Sequence, residues 1–201
     1  MNETWPEIKK RKLKERRGET FDWIQSLVVA LLLCVLVFTF LSRVVNVSGH
    51  SMINTLMDGD RILVSNLFYH PRQGDIVVLR KESFDSEPIV KRVIALEGQT
   101  VSIDFDRGVV SVDGVELEEP YTAEPTLRRL DFGDDIVVPE GCMFVLGDNR
   151  NGSTDSRDDR IGCVDERLII GRAIFLIFPG ADRALGEKPD WSRIGALKNG
   201  Q

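Results

Sequence analysis

The chain contains one long apolar run near its N-terminus, where residues 23–42 carry no charged side chain. About 20 apolar residues in a helix are long enough to cross the roughly 30 Å hydrocarbon core of a bilayer. The run therefore predicts a single transmembrane helix over residues 22–43. A cleaved secretory signal is the alternative interpretation. Such signals have apolar regions of about 7 to 15 residues, however, and residues 41–43 offer no small-x-small cleavage site.

After residue 43 the pattern changes to short β-branched runs separated by Gly, Asp and Pro, which is typical of strands and turns. Asp113 and Gly114 lie between two such runs and are typical of a two-residue hairpin turn. Residues 120–135 lack periodicity and are predicted to form a loop. The fold predicted for residues 44–201 is one mainly β domain. The predicted strands cover residues 44–47, 61–65, 75–79, 89–96, 100–103, 109–112, 115–117, 136–138, 143–146 and 168–178.

Charge is distributed unevenly along the chain. Residues 1–19 carry seven Lys or Arg against four Glu, a local charge of +3, so the net charge of −6 leaves −9 for the rest. Basic residues accumulate on the cytoplasmic side of transmembrane helices. We therefore expect residues 1–21 to be a basic cytoplasmic segment and residues 44–201 to lie on the extracytoplasmic face. The acidic body argues against nucleic-acid binding, which usually needs a basic face.

Neither a metal site nor a nucleotide site is expected. The chain has no CxxC pair, no HExxH and no phosphate-binding glycine loop. A calcium loop starting at Asp148 fits poorly, because its third position is Arg150 and its sixth is Ser153 rather than Gly. The sequence leaves open whether Cys142 and Cys163 form a disulfide, because nothing in it shows how closely they approach.

A serine hydroxyl becomes a good nucleophile only when a neighbouring base takes its proton, and histidine is the usual base. The two histidines are poorly placed, since His50 neighbours Ser51 on the opposite face of an extended segment and His70 lies in a polar turn. A buried lysine can serve instead, because burial disfavours its ammonium form. Lys91 lies in the apolar segment 88–96. Taken alone, that segment is more typical of a strand with one exposed basic face.

Five features in a fixed order change the interpretation of Lys91. The features are the apolar run, GHSMINTL at residues 49–56, GDIVV at 74–78, KRVI at 91–94 and GDNRNGSTDSR at 147–157. Any one of them could arise by chance, whereas all five in order are specific. With these features the chain resembles the bacterial type I signal peptidases, a family of Ser-Lys proteases, over nearly its whole length.

The resemblance implies an antiparallel β catalytic domain of the signal peptidase type, in which Ser51 is the nucleophile and Lys91 the general base. It also implies that Ser153 hydrogen-bonds to the lysine and orients it. A framework of ionic and hydrogen-bonding residues is expected around the site, consisting of Asp148, Asn149, Asp155, Arg157 and Arg92. Four apolar residues are predicted to line a substrate groove: Met52, Ile53, Ile89 and Val90. Leu67 and Phe68 are interpreted as groove, lipid-contacting or core residues.

The activity implied by the resemblance is that of a membrane-bound serine endopeptidase, which removes signal peptides from exported preproteins through an acyl-enzyme. The expected partners are membrane-inserted preproteins and the lipid bilayer, and neither a cofactor, a metal nor a nucleic acid is expected. The expected location is the cell membrane.

Two departures from the family pattern affect the expected site. Many members have proline where this chain has Asn54, so the turn lacks that fixed φ. Some members carry a serine two residues before the nucleophile, where this chain has Gly49. We therefore assign oxyanion stabilisation to main-chain donors, chiefly the N–H group of Ser51.

Two other functions are alternatives to that of a signal peptidase. A self-cleaving Ser-Lys protein of the repressor type would need a DNA-binding module, whereas this chain opens with an apolar run. A catalytically silent, membrane-tethered β module that binds exported chains is the second alternative. Replacing Lys91 with Ala distinguishes a protease from this binding module. The substitution abolishes cleavage by a protease and leaves the behaviour of a binding module largely intact.

Overall fold

A computed structural model of the chain describes Trp5 and residues 21–35, 43–81, 84, 87–181 and 188–198. The chain divides into two compact units, Met1–Leu41 and Ser42–Gln201. In the first unit, residues 21–35 are helical and their apolar side chains are exposed. Within the described residues, no helix combines the length and the apolar character needed to cross a membrane. The predicted span over residues 22–43 includes residues 36–42, which lie outside the described part, so the span stays a prediction.

The second unit consists of two antiparallel sheets. The larger sheet has the strand order β1-β2-β11-β3-β4-β9-β10, with β12 paired to β11, and the smaller sheet has the order β7-β6-β5-β8. The strands are β1 (Arg43–Asn46), β2 (Arg61–Ser65), β3 (Ile76–Leu79), β4 (Ile89–Leu96), β5 (Thr100–Asp104), β6 (Val109–Val112), β7 (Val115–Glu116), β8 (Ile136–Val137), β9 (Cys142–Leu146), β10 (Val164–Asp165), β11 (Ile169–Phe178) and β12 (Gly195–Ala196). Three short 3₁₀ turns cover Arg150–Gly152, Glu166–Leu168 and Trp191–Arg193.

The alternation of apolar residues explains how β4 organises the larger sheet. Val90 packs in a core cluster with Ile76 and Val78 of β3, whereas Val93 packs with Val77 in a second cluster. The strand is thus buried on both faces, because successive side chains of a strand point to opposite sides. Lys91 lies directly opposite Val77 in the β3–β4 pair. The sheet therefore carries a buried lysine opposite an apolar residue of the neighbouring strand.

The segment that follows β1 packs across the first core cluster. Val47, Met52 and Leu56 are buried there against Ile62 and Val64 of β2. Fully burying side chains of this kind stabilises a fold by about 1.5 to 3 kcal/mol each. The burial fixes residues 47–56 against the sheet, and this segment includes the predicted nucleophile.

The mainly β, antiparallel prediction is confirmed, and β2, β4 and β6 have the predicted bounds. The hairpin turn is also confirmed, since Asp113 and Gly114 have φ values of 51° and 78°, the positive values that such turns require. The two-residue strands β10 and β12 were not predicted. The sulfurs of Cys142 and Cys163 are not bonded to each other.

Candidate active site

Ser51 and Lys91 form the centre of the candidate site. Ser51 is half-buried in the segment that follows β1, and Lys91 lies in β4. The ammonium nitrogen Nζ of Lys91 donates a hydrogen bond of 2.8 Å to Oγ of Ser51. The two residues are 40 positions apart in the sequence. Packing of the segment against the sheet therefore creates the pair.

Burial changes the protonation of the lysine, because only 3% of Lys91 is exposed. Desolvation lowers the pKa of Lys91 from 10.5 to about 8, although the negative charges of Asp155 and Asp148 oppose the shift. At pH 7 a lysine with this pKa is neutral in about a tenth of the molecules. A lysine with the ordinary pKa is neutral in far less than a hundredth of them. The neutral amine has a lone pair that can accept the hydroxyl proton of Ser51 across the same 2.8 Å contact.

The loop around Asp148 holds the serine segment in place. The backbone N–H of Asn149 donates to the carbonyl oxygen of Ser51 at 3.0 Å, and its side-chain amide donates to the carbonyl oxygen of His50 at 3.0 Å. The hydroxyl of Thr55 donates to Asp148 at 2.5 Å. Gly147 allows this close approach, because a Cβ there would collide with Ser153 and with the Ser51 carbonyl.

Two buried ion pairs support this loop. Arg92 contacts Asp148 through two hydrogen bonds of 2.8 and 2.7 Å, and Arg157 contacts Asp155 through two of 2.8 Å. All four residues are at most 1% exposed. Two parallel bonds between guanidinium and carboxylate fix the orientation of both groups. Asp155 also accepts a bond of 3.0 Å from the N–H of Gly147, which links the second pair to the loop.

The predicted framework residues thus lie together around the Ser51–Lys91 pair, but the sequence did not reveal several of their partners. Arg150 is buried, and its guanidinium pairs with Glu119 and donates to Thr126 at 2.8 Å. The ring of Tyr121 stacks on Arg92 at 3.8 Å. These contacts attach the loop predicted over residues 120–135 to the site. No local pattern reveals them, since each joins residues at least 24 positions apart.

The expected hydrogen bond between Ser153 and Lys91 is not formed. Ser153 is buried, and its hydroxyl oxygen has no hydrogen-bond partner among the residues that the structure describes. The hydroxyl lies against the backbone of Gly147, while Lys91 Nζ donates to Ser51 instead. Ser153 is therefore at the site with an unused hydrogen-bonding group.

Two of the four residues predicted to line a substrate groove are core residues instead. Met52 and Val90 are at most 6% exposed and pack in the same apolar cluster as β2 and β3. Ile53 and Ile89 are half-buried, so they retain surface that another molecule can contact. The prediction assigns apolar residues near the serine to a groove, but packing against the apolar residues of β2 and β3 buries Met52 and Val90.

The backbone at Gly49 and Ser51 bears on oxyanion stabilisation. Gly49 has a φ of +85°, a conformation that favours glycine, and its N–H donates to Asp58 at 2.7 Å. This backbone conformation accounts for glycine where some family members have serine. The N–H of Ser51 donates no hydrogen bond to any described residue. It is therefore a main-chain donor that a developing oxyanion can use.

The departure at Asn54 lies in the same segment. The Ile53–Asn54 peptide bond is cis. Asn54 is exposed, and its neighbour Thr55 is attached to Asp148 by the bond described above. The segment after the serine is therefore anchored through Thr55.

Comparison with known proteins shows the family to which this chain belongs. Residues 20–178 match the family described as signal peptidase, peptidase S26. Probable signal peptidase I-1 of Synechocystis sp. is 39% identical over 184 residues, covering 87% of this chain and 86% of that protein. Signal peptidase I of Bacillus licheniformis is 33% identical and covers 84% of this chain and 94% of its own length. A signal peptidase I crystal structure from Enterococcus faecalis V583 is 30% identical, with a TM-score of 0.44, over 52% of this chain and 97% of that one. This chain belongs to the peptidase S26 family of signal peptidases.

Proposed function

We propose that this chain is a membrane-bound serine endopeptidase that removes N-terminal signal peptides from exported preproteins, with Ser51 as nucleophile and Lys91 as general base. The observation that carries the proposal is the 2.8 Å contact between Lys91 Nζ and Ser51 Oγ, together with the burial that lowers the pKa of the lysine to about 8. A serine next to an amine that is partly neutral at physiological pH has the nucleophile and base that acyl transfer needs.

In the proposed reaction, neutral Lys91 takes the proton of Ser51 Oγ as this oxygen attacks the carbonyl carbon at the end of the signal peptide. The N–H of Ser51 donates to the oxygen that becomes negatively charged. Protonated Lys91 then gives its proton to the amine of the mature protein, which leaves, and an ester to Ser51 remains. Lys91 next takes a proton from a water molecule, which attacks the carbonyl carbon of the ester. As the bond between this carbon and Ser51 Oγ breaks, Lys91 returns the proton to Oγ, the signal peptide leaves with its new carboxyl group, and the free enzyme is restored.

The proposed location follows from the pattern of the N-terminal segment. Residues 1–21 are cytoplasmic in this proposal, residues 22–43 span the membrane, and residues 44–201 form the extracytoplasmic catalytic domain. The net charge of +3 over residues 1–19 supports this orientation. A preprotein is itself held in the bilayer by its apolar segment. Confining both molecules to one membrane therefore raises the effective concentration of the substrate.

The test of the proposed function is cleavage of a purified preprotein by the full chain in non-ionic detergent, with the cut position read by mass spectrometry. We expect one cut after a small-x-small sequence at the end of the signal peptide. The Ser51→Ala chain, prepared in the same way, controls for contaminating proteases. If the folded full chain leaves the preprotein intact, or if the cut persists in Ser51→Ala, the proposed function is wrong.

A further inference from the structure

A cavity of about 530 Å³ lies in the second unit, away from the Ser51–Lys91 pair. We call it the basic cavity. Four cationic residues and three aliphatic residues line it: Arg43, Arg80, Lys81, Arg167, Leu168, Ile169 and Ile170. A volume of this size is within the range of roughly 300 to 1,000 Å³ found for small-molecule sites.

The topology of the larger sheet explains why these residues meet. β11 and β3 are antiparallel, and the pair Ile169↔Leu79 is where β11 begins and β3 ends. Arg80 follows directly, and its N–H donates to the carbonyl oxygen of Leu168 at 3.0 Å. Arg43 begins β1, opposite Val64 near the end of β2. The beginning of β1 and β11 and the end of β2 and β3 therefore form one edge of the sheet.

Among the described residues, only some of the positive charges of the basic cavity have a partner. Arg167 pairs with Asp165, and Lys81 donates to the carbonyl oxygen of Ile161. The guanidinium groups of Arg43 and Arg80 contact no acidic side chain among the described residues. The chain beyond residue 19 has a net charge of −9. A cluster of cations in an otherwise acidic body favours an anionic ligand at this place.

The lining also indicates what kind of anion fits. Guanidinium groups match the geometry of phosphate oxygens and bind them through two parallel hydrogen bonds. Three consecutive aliphatic residues, 168–170, give the other part of the cavity an apolar wall. A ligand that satisfies both parts carries a phosphate and an apolar chain, as a phospholipid does.

The position of Arg43 in the sequence indicates where the basic cavity lies relative to the membrane. Arg43 is the first residue after the uncharged run 23–42, so in the proposed topology it emerges at the membrane surface. β2 runs toward the same edge and continues into Leu67 and Phe68, which are 54% and 89% exposed. Exposed leucine and phenylalanine side chains are typical of surfaces that bury apolar area in the headgroup region of a bilayer.

We propose that the basic cavity binds the phosphate group of an anionic phospholipid, with Arg43 and Arg80 contacting the phosphate. This inference rests on the membrane anchoring in the proposed function. It adds a site at which the second unit itself recognises the lipid.

Binding at this edge has a consequence for the active site. One row of cross-strand neighbours runs across four strands parallel to this edge, and it includes the catalytic lysine two residues after the start of β4. The row consists of Ser65, Arg172, Val77 and Lys91. Neighbouring strands are about 4.8 Å apart, so the row spans roughly 14 Å. A lipid held in the basic cavity therefore keeps Lys91 close to the surface where a membrane-inserted substrate emerges.

The experiment measures lipid binding to the full chain in non-ionic detergent by native mass spectrometry, with phosphatidylglycerol compared with phosphatidylcholine. We expect phosphatidylglycerol to bind more tightly. Each basic residue near an anionic lipid contributes about a fivefold factor, so Arg43→Gln/Arg80→Gln should weaken phosphatidylglycerol binding roughly tenfold or more. Arg43→Lys/Arg80→Lys retains the charges and should keep most of the preference. The matched control is Arg61→Gln/Arg107→Gln, which removes two exposed charges outside the cavity.

Equal binding of the two lipids by the unmodified chain would overturn the proposal. So would an equal loss in the control variant, or displacement of the lipid by inorganic phosphate alone, which would make this a site for free phosphate. Cleavage of a soluble signal-peptide substrate is measured in the same detergent and should be unchanged in all variants. Because the lipid readout does not depend on cleavage, failure of this inference and failure of the proposed function give different results.

Discussion

Replacing Lys91 with methionine is expected to reduce preprotein cleavage by about a thousandfold or more while making the fold more stable. Methionine has a similar length but no proton-accepting group, so Ser51 loses its base, and a general base contributes about a hundredfold to ten-thousandfold in rate. The measurement is single-turnover cleavage of a preprotein in detergent. Loss of activity alone could also result from misfolding, so the stability of the variant is the second readout.

The direction of the stability change follows from the pKa of Lys91. The folded-state pKa of about 8 lies below the ordinary value of 10.5, so the buried charge destabilises the folded chain at low pH. This penalty is fully present below about pH 8, declines as pH rises, and disappears above 10.5. A shift of this size corresponds to about 3 kcal/mol at most. Lys91→Met should therefore unfold at higher denaturant concentration than the unmodified chain at pH 6, and the difference should narrow toward pH 10.

Lys91→Arg is the matched control, because it keeps the positive charge and cannot act as a base at these pH values. It should be as inactive as Lys91→Met but no more stable than the unmodified chain. Cleavage by Lys91→Met at more than a tenth of the unmodified rate would contradict the assigned role of the lysine.

Replacing Asp148 with asparagine is expected to destabilise the fold by about 3 to 5 kcal/mol, because it leaves the buried guanidinium of Arg92 without its counter-charge. The asparagine side chain has nearly the same shape as that of aspartate, so the effect is chiefly electrostatic. Thr55 also donates to Asp148, and this bond holds the serine segment. The catalytic rate of the folded fraction should therefore fall as well. Denaturant unfolding in detergent, followed by tryptophan fluorescence, measures the change in the free energy of unfolding.

The exposed pair between Arg107 and Glu116 provides the control, since its side chains are 61% and 56% exposed. Glu116→Gln should change the free energy of unfolding by less than about 1 kcal/mol. A second variant, Arg92→Met/Asp148→Asn, removes the uncompensated charge and should recover part of the lost stability. If Asp148→Asn costs no more than Glu116→Gln, the buried pair does not stabilise the site.

The sequence predicted those parts of the fold that depend on local alternation. β4 carries eight residues around Lys91 and was predicted with its observed bounds. β10 and β12 have only two residues each, too few to show a period, and they form strands only through pairing with β9 and β11. Their existence depends on contacts between distant parts of the chain, which a local pattern does not contain.

The same distinction applies to the candidate site. The motifs predicted Ser51 and Lys91, and the structure places their side chains in direct contact. Thr55 was missed because its partner Asp148 lies 93 positions away. Ser153 was placed at the site, but its predicted bond to the lysine is not formed. Family motifs indicate which residues gather at a site, whereas hydrogen-bond partners follow from packing.

The dependence of kcat/KM on pH tests the central claim most directly, because it reports the pKa of the essential base in the free enzyme. A soluble signal-peptide substrate is cleaved by the full chain in detergent between about pH 5.5 and 9.5, a range that brackets the pKa of Lys91. We predict that kcat/KM falls about tenfold per pH unit on the acidic side, with an apparent pKa near 8 that is unchanged in His50→Ala. A flat profile over this range, or an acidic limb that moves in His50→Ala, would contradict the role of Lys91 as the base.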